Sequence, residues 1–271
     1  MADDERTIPR FFVSMSTSPT RIAHMRPTID SIIEQTYKPD RIIVNIPLVY
    51  QRTGAAYEIP DWLAEYKNVV VNVVPEDLGP ITKLHPATRV IPAAEDVYIA
   101  TIDDDIRYLP HMLEDFARAI VYGGRKGVAM GYSGFFLYVN YDEHISAHLP
   151  PYREAHVDVL EGYGMTCYHR GFFGADFDDY VTLCVSDKET RFSDDLVISN
   201  YLAGRGVKRV QLYNGRNNRK KIWSDGCVLE IGQSGDALHT GASGLTADNN
   251  QRYVNACLFL KGNNLLHFSN T

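Results

Sequence analysis

Cysteine is scarce in this chain: four among 271 residues, Cys167, Cys184, Cys227 and Cys257, with no Cys-x-x-Cys pair. Spacing that wide argues against a zinc site or a disulfide framework and reads as thiols kept reduced. No apolar run is long enough to span a bilayer. The opening Met1-Ala2-Asp3-Asp4-Glu5-Arg6 is charged and lacks the apolar stretch of a signal peptide. These absences predict a soluble, cytoplasmic protein. Positive charge is in deficit, with Lys+Arg 27 against Asp+Glu 34 and a formal net charge of -7. That balance excludes the broad basic face that nucleic acid requires, though a local basic patch stays open. No Gly-X-Y or heptad repeat occurs, and a hydrophobic content of 45% is too high for disorder.

What is present is enough apolar material for one large core or two smaller ones. There are also 17 tyrosines, whose flat faces suit ring-shaped polar ligands as well as ordinary cores. The first half alternates strand-like and helix-like segments, an α/β signature. Phe11 to Met15, Arg41 to Ile46, Val69 to Val74 and Val97 to Ile102 read as strands, and their near-continuous apolar character predicts cover on both faces. Ile22, Met25, Ile29, Ile32 and Ile33 fall on one helical face, with Pro27 as start or kink. A second helix is predicted from about Leu109 to Tyr122, ended by Gly123-Gly124. Later, Gly127 to Val139 reads as two strands, Glu143 to Glu154 as a loop, and Ser193 to Leu202 as a short helix stopped by Gly204. No linker divides the chain, which predicts one domain over residues 1–271.

Asp103-Asp104-Asp105 follows the fourth strand directly. Three adjacent carboxylates repel one another and need cations or solvent to stay ionised. Alternation puts Asp103 and Asp105 on one side and Asp104 on the other. Ligands of open α/β sheets bind at the carboxyl ends of strands, and oxygen-only ligation suits Mg²⁺ or Mn²⁺. A solvated acidic turn fits the same residues.

Together with three further stretches, that triplet resembles the nucleotide-sugar-dependent glycosyltransferases of the glycosyltransferase-A fold, in particular the family 2-like inverting enzymes. Ser14 to Arg21, continued by Ile29, Ser31, Ile32 and Gln35, resembles the family's first strand and loop. Asp77-Leu78-Gly79-Pro80-Ile81-Thr82-Lys83 resembles its D-x-G-P-x-x-K stretch, and Ser193-Asp194-Asp195-Leu196 its acidic motif before the acceptor-side helix. The similarity covers roughly residues 8 to 205. It implies a Rossmann-type α/β sandwich with a mixed central sheet and helices on both faces. Residues 8–125 would form a nucleotide-sugar half and 126–271 an acceptor half.

The resemblance implies that Asp105 ligates Mn²⁺ or Mg²⁺, that Asp103 holds the nucleoside, and that Asp104 contacts metal or donor. Arg21 and Lys83 offer positive charge to a diphosphate; Thr17 and Asp77 suit base or ribose contacts, or equally turn and cap chemistry. Ser193 is a good N-cap, and two acids in a first helical turn meet the macrodipole favourably. The resemblance instead makes Asp195, or failing it Asp194, the general base. Val157 to Gly164 resembles a segment lining the sugar pocket, with Tyr163 to stack on a sugar ring and its glycines, Gly164 among them, to let the backbone approach; a strand and turn beside the core fits the same residues nearly as well. His239, with His267 behind it, is a candidate C-terminal metal ligand, although a lone surface histidine fits each. Arg216 to Lys221 is a solvated basic face or a lid over the diphosphate, with Trp223 covering the acceptor.

The implied reaction moves a hexose or pentose from a nucleotide-sugar, a UDP-sugar by family habit, to a glycan or glycoconjugate hydroxyl. The nearest type is a soluble bacterial or algal-virus enzyme rather than a Golgi-anchored one. Two other classes compete. A non-catalytic carbohydrate- or nucleotide-binding module would need no base at Asp194-Asp195. An Asp-dependent phosphohydrolase would carry its Asp-x-Asp on the first strand with a Thr two residues later, whereas Ile106-Arg107 follows here.

Overall fold

A computed structural model of the chain describes residues 8–140, 143–148, 154–212 and 249–268. Four apolar segments form parallel strands: β1 (Arg10–Ser16), β2 (Arg41–Pro47), β3 (Val69–Val74) and β4 (Val97–Thr101). The remaining strands are β5 (Val128–Gly131), β6 (Gly134–Asn140), β7 (Glu143–His148), β8 (Ala155–His156), β9 (Val159–Leu160), β10 (Thr166–His169) and β11 (Lys208–Gln211). Eight of them build one mixed sheet in the order β3-β2-β1-β4-β10-β5-β11-β8, and β7-β6-β9 form a small second sheet. Antiparallel β10 sits between β4 and β5, so β5 and its parallel neighbour β11 run in the same direction as β4.

The helices are α1 (Arg26–Ile33), α2 (His85–Val90), α3 (Met112–Val121), α4 (Phe177–Ser186), α5 (Lys188–Arg191), α6 (Asp194–Gly204) and α7 (Asn249–Gly262). Alternation along β1 sends Phe11, Val13 and Met15 into one core with Ile29 and Ile32 of α1 and Leu113 and Phe116 of α3. Phe12 enters the other core, with Phe177 of α4, Leu196 of α6 and Cys257 of α7. The mixed sheet with a core on each face is the sandwich the resemblance implies. Each of these large buried side chains contributes roughly 1.5–3 kcal/mol of apolar burial.

Local chemistry explains most boundaries. Pro27 sits in the first turn of α1, where its missing N–H costs nothing, and a separate 3₁₀ turn, Ile22–His24, precedes it. The structure corrects several expectations. The expected cover on both faces fails along β3, the edge strand of the sheet: Val70 and Val73, on opposite faces by alternation, are 40% and 53% exposed. β7 lies within the span expected to be a loop, and pairs with β6 from Phe135–His148 to Asn140–Glu143. Ser193 does not cap α6: its hydroxyl turns back and donates to Glu189 O at 2.8 Å. Gly204 is the last residue of α6, not one beyond it. Cys167, Cys184 and Cys257 are buried free thiols, and Cys227 lies outside the described residues. Among the described residues no helix is long and apolar enough to cross a membrane.

Candidate active site

At the carboxyl end of β4 the chain leaves the sheet and turns through Asp103 to Asp105. Its backbone is pinned from two sides. Asp103 N donates to Tyr108 Oη at 2.9 Å, and Thr28 Oγ1 of α1 donates to Asp104 O at 2.9 Å. The three carboxylates then divide between two cations. Arg21 Nη1 lies 3.0 Å from Asp104 Oδ1 and 3.2 Å from Asp105 Oδ2, while Lys83 Nζ lies 2.6 Å from Asp103 Oδ1. The expected grouping of Asp103 with Asp105 therefore gives way, because the turn replaces strand alternation and Arg21 draws Asp104 and Asp105 together. Thr17 Oγ1 donates to Asp104 Oδ2 at 2.6 Å, so Thr17 serves the triplet.

Lys83 has a second partner. Its Nζ lies 3.2 Å from Asp194 Oδ2 in the first turn of α6, a charge contact that leaves this oxygen without a hydrogen bond. Burial opposes the Lys83 charge, but Asp103, Asp194 and Asp195 outweigh it and hold the ammonium well above its usual range. One lysine thus joins the triplet on β4 to the acidic turn of α6. Its own backbone is fixed too, since Ser14 Oγ donates to Lys83 O at 2.6 Å.

Asp195, the residue after Asp194, also acts on this lysine. Gly162 N donates to Asp195 Oδ1 at 2.9 Å. A Cβ on Gly162 would stand 3.0 Å from that oxygen and 3.2 Å from Lys83 Nζ, so a glycine is what lets the loop approach. Burial first, then Asp194, push the Asp195 carboxyl well above the ordinary range; Lys83 pulls it down and Glu161 adds to the rise. Asp105 is pushed up to about 7 by burial, Asp103 and Asp104.

The sugar-pocket segment meets the same cleft. Tyr163 O accepts from Tyr108 Oη at 3.2 Å, and Tyr163 Oη shares a 2.7 Å hydrogen bond with Ser133 Oγ. Ser133 Oγ also donates to Glu161. Gly164 is buried, but its missing Cβ would meet only ordinary contacts at 3.5 Å, so the close approach belongs to Gly162. Tyr253 of α7 faces the cluster as well: burial, Asp195 and Glu161 raise its hydroxyl well above the usual range. Asp77 ties its own loop to the segment after β2, accepting from Gly79 N at 2.8 Å and Gln51 N at 2.9 Å.

Glu161, Gly162, Ser133, Tyr108 and Tyr253 were not singled out as site residues by sequence. For Gly162 a signal existed, a second glycine in the quoted Val157–Gly164 stretch. His267 lies away from the triplet: its ring packs on Gly204 at the far end of α6, and its backbone N–H donates to Asn200 Oδ1 at 2.8 Å. His239, Trp223 and the run from 216 to 221 lie outside the described residues.

Among the described residues no group of three or more His, Cys, Asp or Glu converges as a ready-made metal cage. The charge balance nevertheless fits a divalent cation. Four carboxylates, Asp103, Asp104, Asp105 and Asp194, pair with two cations, Arg21 and Lys83. Mg²⁺ is commonly held by one or two carboxylates plus substrate phosphates and water. Asp103, whose side chain is 31% exposed, and Asp105 suit that arrangement.

No protein-family profile matches the chain, and no curated protein matches it by sequence. Solved structures do match. The fold is similar to that of GalNAc-T7 solved with UDP, GalNAc and Mn²⁺, at 12% identity and a TM-score of 0.52, over 76% of this chain and 43% of that one. S. aureus TarS 1–349 matches at 13% identity and a TM-score of 0.45, over 71% of this chain and 55% of that one. A further TarS structure matches at 14% identity and a TM-score of 0.41, over 71% and 33%. The chain thus spans little more than half of these proteins at most. With GalNAc-T7 the shared feature is the fold, a glycosyltransferase-A-like α/β architecture with a mixed central sheet.

Proposed function

We propose that this chain is a metal-dependent inverting glycosyltransferase that moves a sugar from a nucleotide-sugar to a hydroxyl of a glycan or glycoconjugate. The observation that carries the reading is Lys83, which draws Asp103 at the end of β4 and Asp194 at the start of α6 to one ammonium. That contact unites a donor-side acidic cluster with an acceptor-side carboxylate pair. A UDP-sugar, hexose or pentose, is the favoured donor; this rests on the motifs and on the fold shared with GalNAc-T7, which was solved with UDP.

In this reading residues 8–125 receive the donor and 126–271 the acceptor. The acceptor hydroxyl gives its proton to Asp195 while its oxygen bonds the anomeric carbon. The bond from that carbon to the diphosphate oxygen breaks on the opposite face, its electron pair leaves with the nucleoside diphosphate, and the configuration inverts. Arg21 and Lys83 meet the charge that develops there. Asp105 and Asp103 would hold Mn²⁺ or Mg²⁺, which supplies further positive charge at the diphosphate. Asp104 and Thr17 keep Arg21 and the triplet in place, and Tyr163 borders the sugar. The raised Asp195 carboxyl suits a base, since a proton acceptor works best with a pKa near the operating pH.

Asp195→Asn tests the proposal. Nucleotide-sugar affinity measured by calorimetry is expected to persist, while transfer falls by roughly 10²–10⁴-fold, the usual contribution of a general base. Undiminished transfer would remove Asp195 from that role. Tight nucleotide-sugar binding by the unaltered chain, without transfer to any glycan acceptor, would favour the binding-module reading.

A further inference from the structure

The first turn of α7 carries a charge that the proposed reaction does not use. Arg252 is 6% exposed, and its Nε is buried without a hydrogen-bond partner. Among the described residues no carboxylate stands within ion-pair distance of its guanidinium. A buried cation without an acid is costly, because burial strips its water and no opposite charge replaces it. The other buried cations are compensated. Lys83 has Asp103 and Asp194, and Arg170 donates to Ile91 O and Phe173 O, each at 2.8 Å. Among the described residues Arg252 has neither kind of partner.

Its surroundings lead to the acceptor-side carboxylates. α7 packs on β7 and α5. Tyr253, the next residue, stacks on Phe135 of β6, with ring centres 5.9 Å apart and 18° between the planes. Phe135 pairs with Val159 of β9. Two residues after Val159 stands Glu161, whose backbone N–H donates to Ser133 O at 3.0 Å. The Arg252 guanidinium carbon lies 5.8 Å from the centre of the Tyr253 ring. Burial first, then Asp195 and Glu161, raise the Tyr253 hydroxyl and Arg252 opposes them, so the guanidinium and both carboxylates border one region. Arg21 and Lys83, the cations assigned to the diphosphate, lie instead at the β4 triplet. A site lined by carboxylates repels anions, and a fixed guanidinium is what admits one. Its planar fork matches the paired oxygens of a phosphate or carboxylate.

We propose that Arg252 receives an anionic group of the acceptor, a phosphate or carboxylate borne by the sugar whose hydroxyl is glycosylated. This rests on the reading of Asp195 as the base for that hydroxyl, and it narrows the acceptor to an acidic glycan or a sugar phosphate. The test follows the Arg252 Nε–H signal by NMR in the full chain, which reads binding without transfer. Titrations use glucose 6-phosphate, glucuronate and methyl glucoside, each with and without UDP and Mn²⁺. Saturable shifts are expected with the two acids and none with the neutral glycoside, and UDP with Mn²⁺ should leave the affinity for the acids undiminished. Arg252→Met keeps the stem and removes the charge. By calorimetry it should bind glucose 6-phosphate about tenfold more weakly, with a melting temperature no lower than that of the unaltered chain. Arg252→Lys, which restores the charge without the fork, should recover part of that affinity. Saturable binding of methyl glucoside as tight as that of the acids overturns the proposal, as do acids that never saturate or an Arg252→Met chain that binds them as before. A shift with UDP alone that excludes the acids overturns it too, and assigns Arg252 to the donor diphosphate. Each outcome holds whether or not Asp195→Asn abolishes transfer, so failure here is distinct from failure of the proposed reaction.

Discussion

Lys83 shows how much one side chain decides in this protein. It is buried between Asp103 and Asp194, and its removal strands Asp194 in a region with little water. Breaking a buried pair by deleting one partner costs about 3–5 kcal/mol, more than the pair itself contributes. Lys83→Met is therefore expected to lose stability of that size in urea unfolding, together with transfer activity. The position was legible as a cation in a D-x-G-P-x-x-K stretch. Its double partnership was not, because the acids it joins belong to segments far apart in the chain. Asp195 gives a pH signature. Its carboxyl is held up by burial and by Asp194, so it stays protonated to a higher pH than an ordinary aspartate. A base must be ionised, so transfer should fall as pH drops through that raised value, well above the ordinary range near ~4. Asp194→Asn removes a repelling charge, makes ionisation easier and should move the acid limb of the rate profile to lower pH. Glu161→Gln should move it the same way by less. An acid limb that stays in place in both variants would count against this electrostatic account.

At the scale of elements, the short helix α5 carries a cap that the sequence reading assigned to its neighbour. Asp187 accepts from Thr190 N at 2.8 Å and from Thr190 Oγ1 at 2.7 Å, whereas Ser193 before α6 points backwards. Asp187→Ala should cost about 1 kcal/mol in thermal unfolding and Asp187→Ser much less, as an N-cap requires. Equal losses in the two variants would show that Asp187 acts by its charge alone. Strands β1 to β4 were readable as short, near-continuous apolar runs, and helix α3 because its apolar side chains recur with the helical period. β7, with the sequence Glu-His-Ile-Ser-Ala-His, has no such stripe, and its pairing with β6 supplies what its own composition lacks. α6 is buried nearly all round, so only its acidic first turn marked it. α7 lies beyond the span that resembles any family motif, yet it brings Tyr253 towards Asp195 and Glu161.

For the whole molecule, the proposed reaction predicts linkage between donor and cation. If Asp105 and Asp103 hold a metal that also binds the diphosphate, a UDP-sugar should raise the melting temperature with Mn²⁺ and fail to do so with chelator. At a hundredfold excess over Kd the gain is about 2.7 kcal/mol, some 5–10 °C for a chain of this size. An equal shift in chelator would remove the metal from donor binding. The formal charge of -7 gains a spatial meaning here. Carboxylates crowd at the carboxyl end of β4 and the first turn of α6, where Asp103, Asp104, Asp105 and Asp194 share Arg21 and Lys83. The sequence by itself determined the α/β class, the first four strands and the acidic triplet, because these depend on periodicity and composition within a few residues. Tertiary structure alone decided that Arg21 would hold Asp104 and Asp105 together, that Lys83 would bridge to Asp194, and that Gly162 would bring its N–H to Asp195. Those contacts arise where separate loops meet at the carboxyl end of β4, in the interior of the sheet, and a linear pattern carries no record of which loops become neighbours.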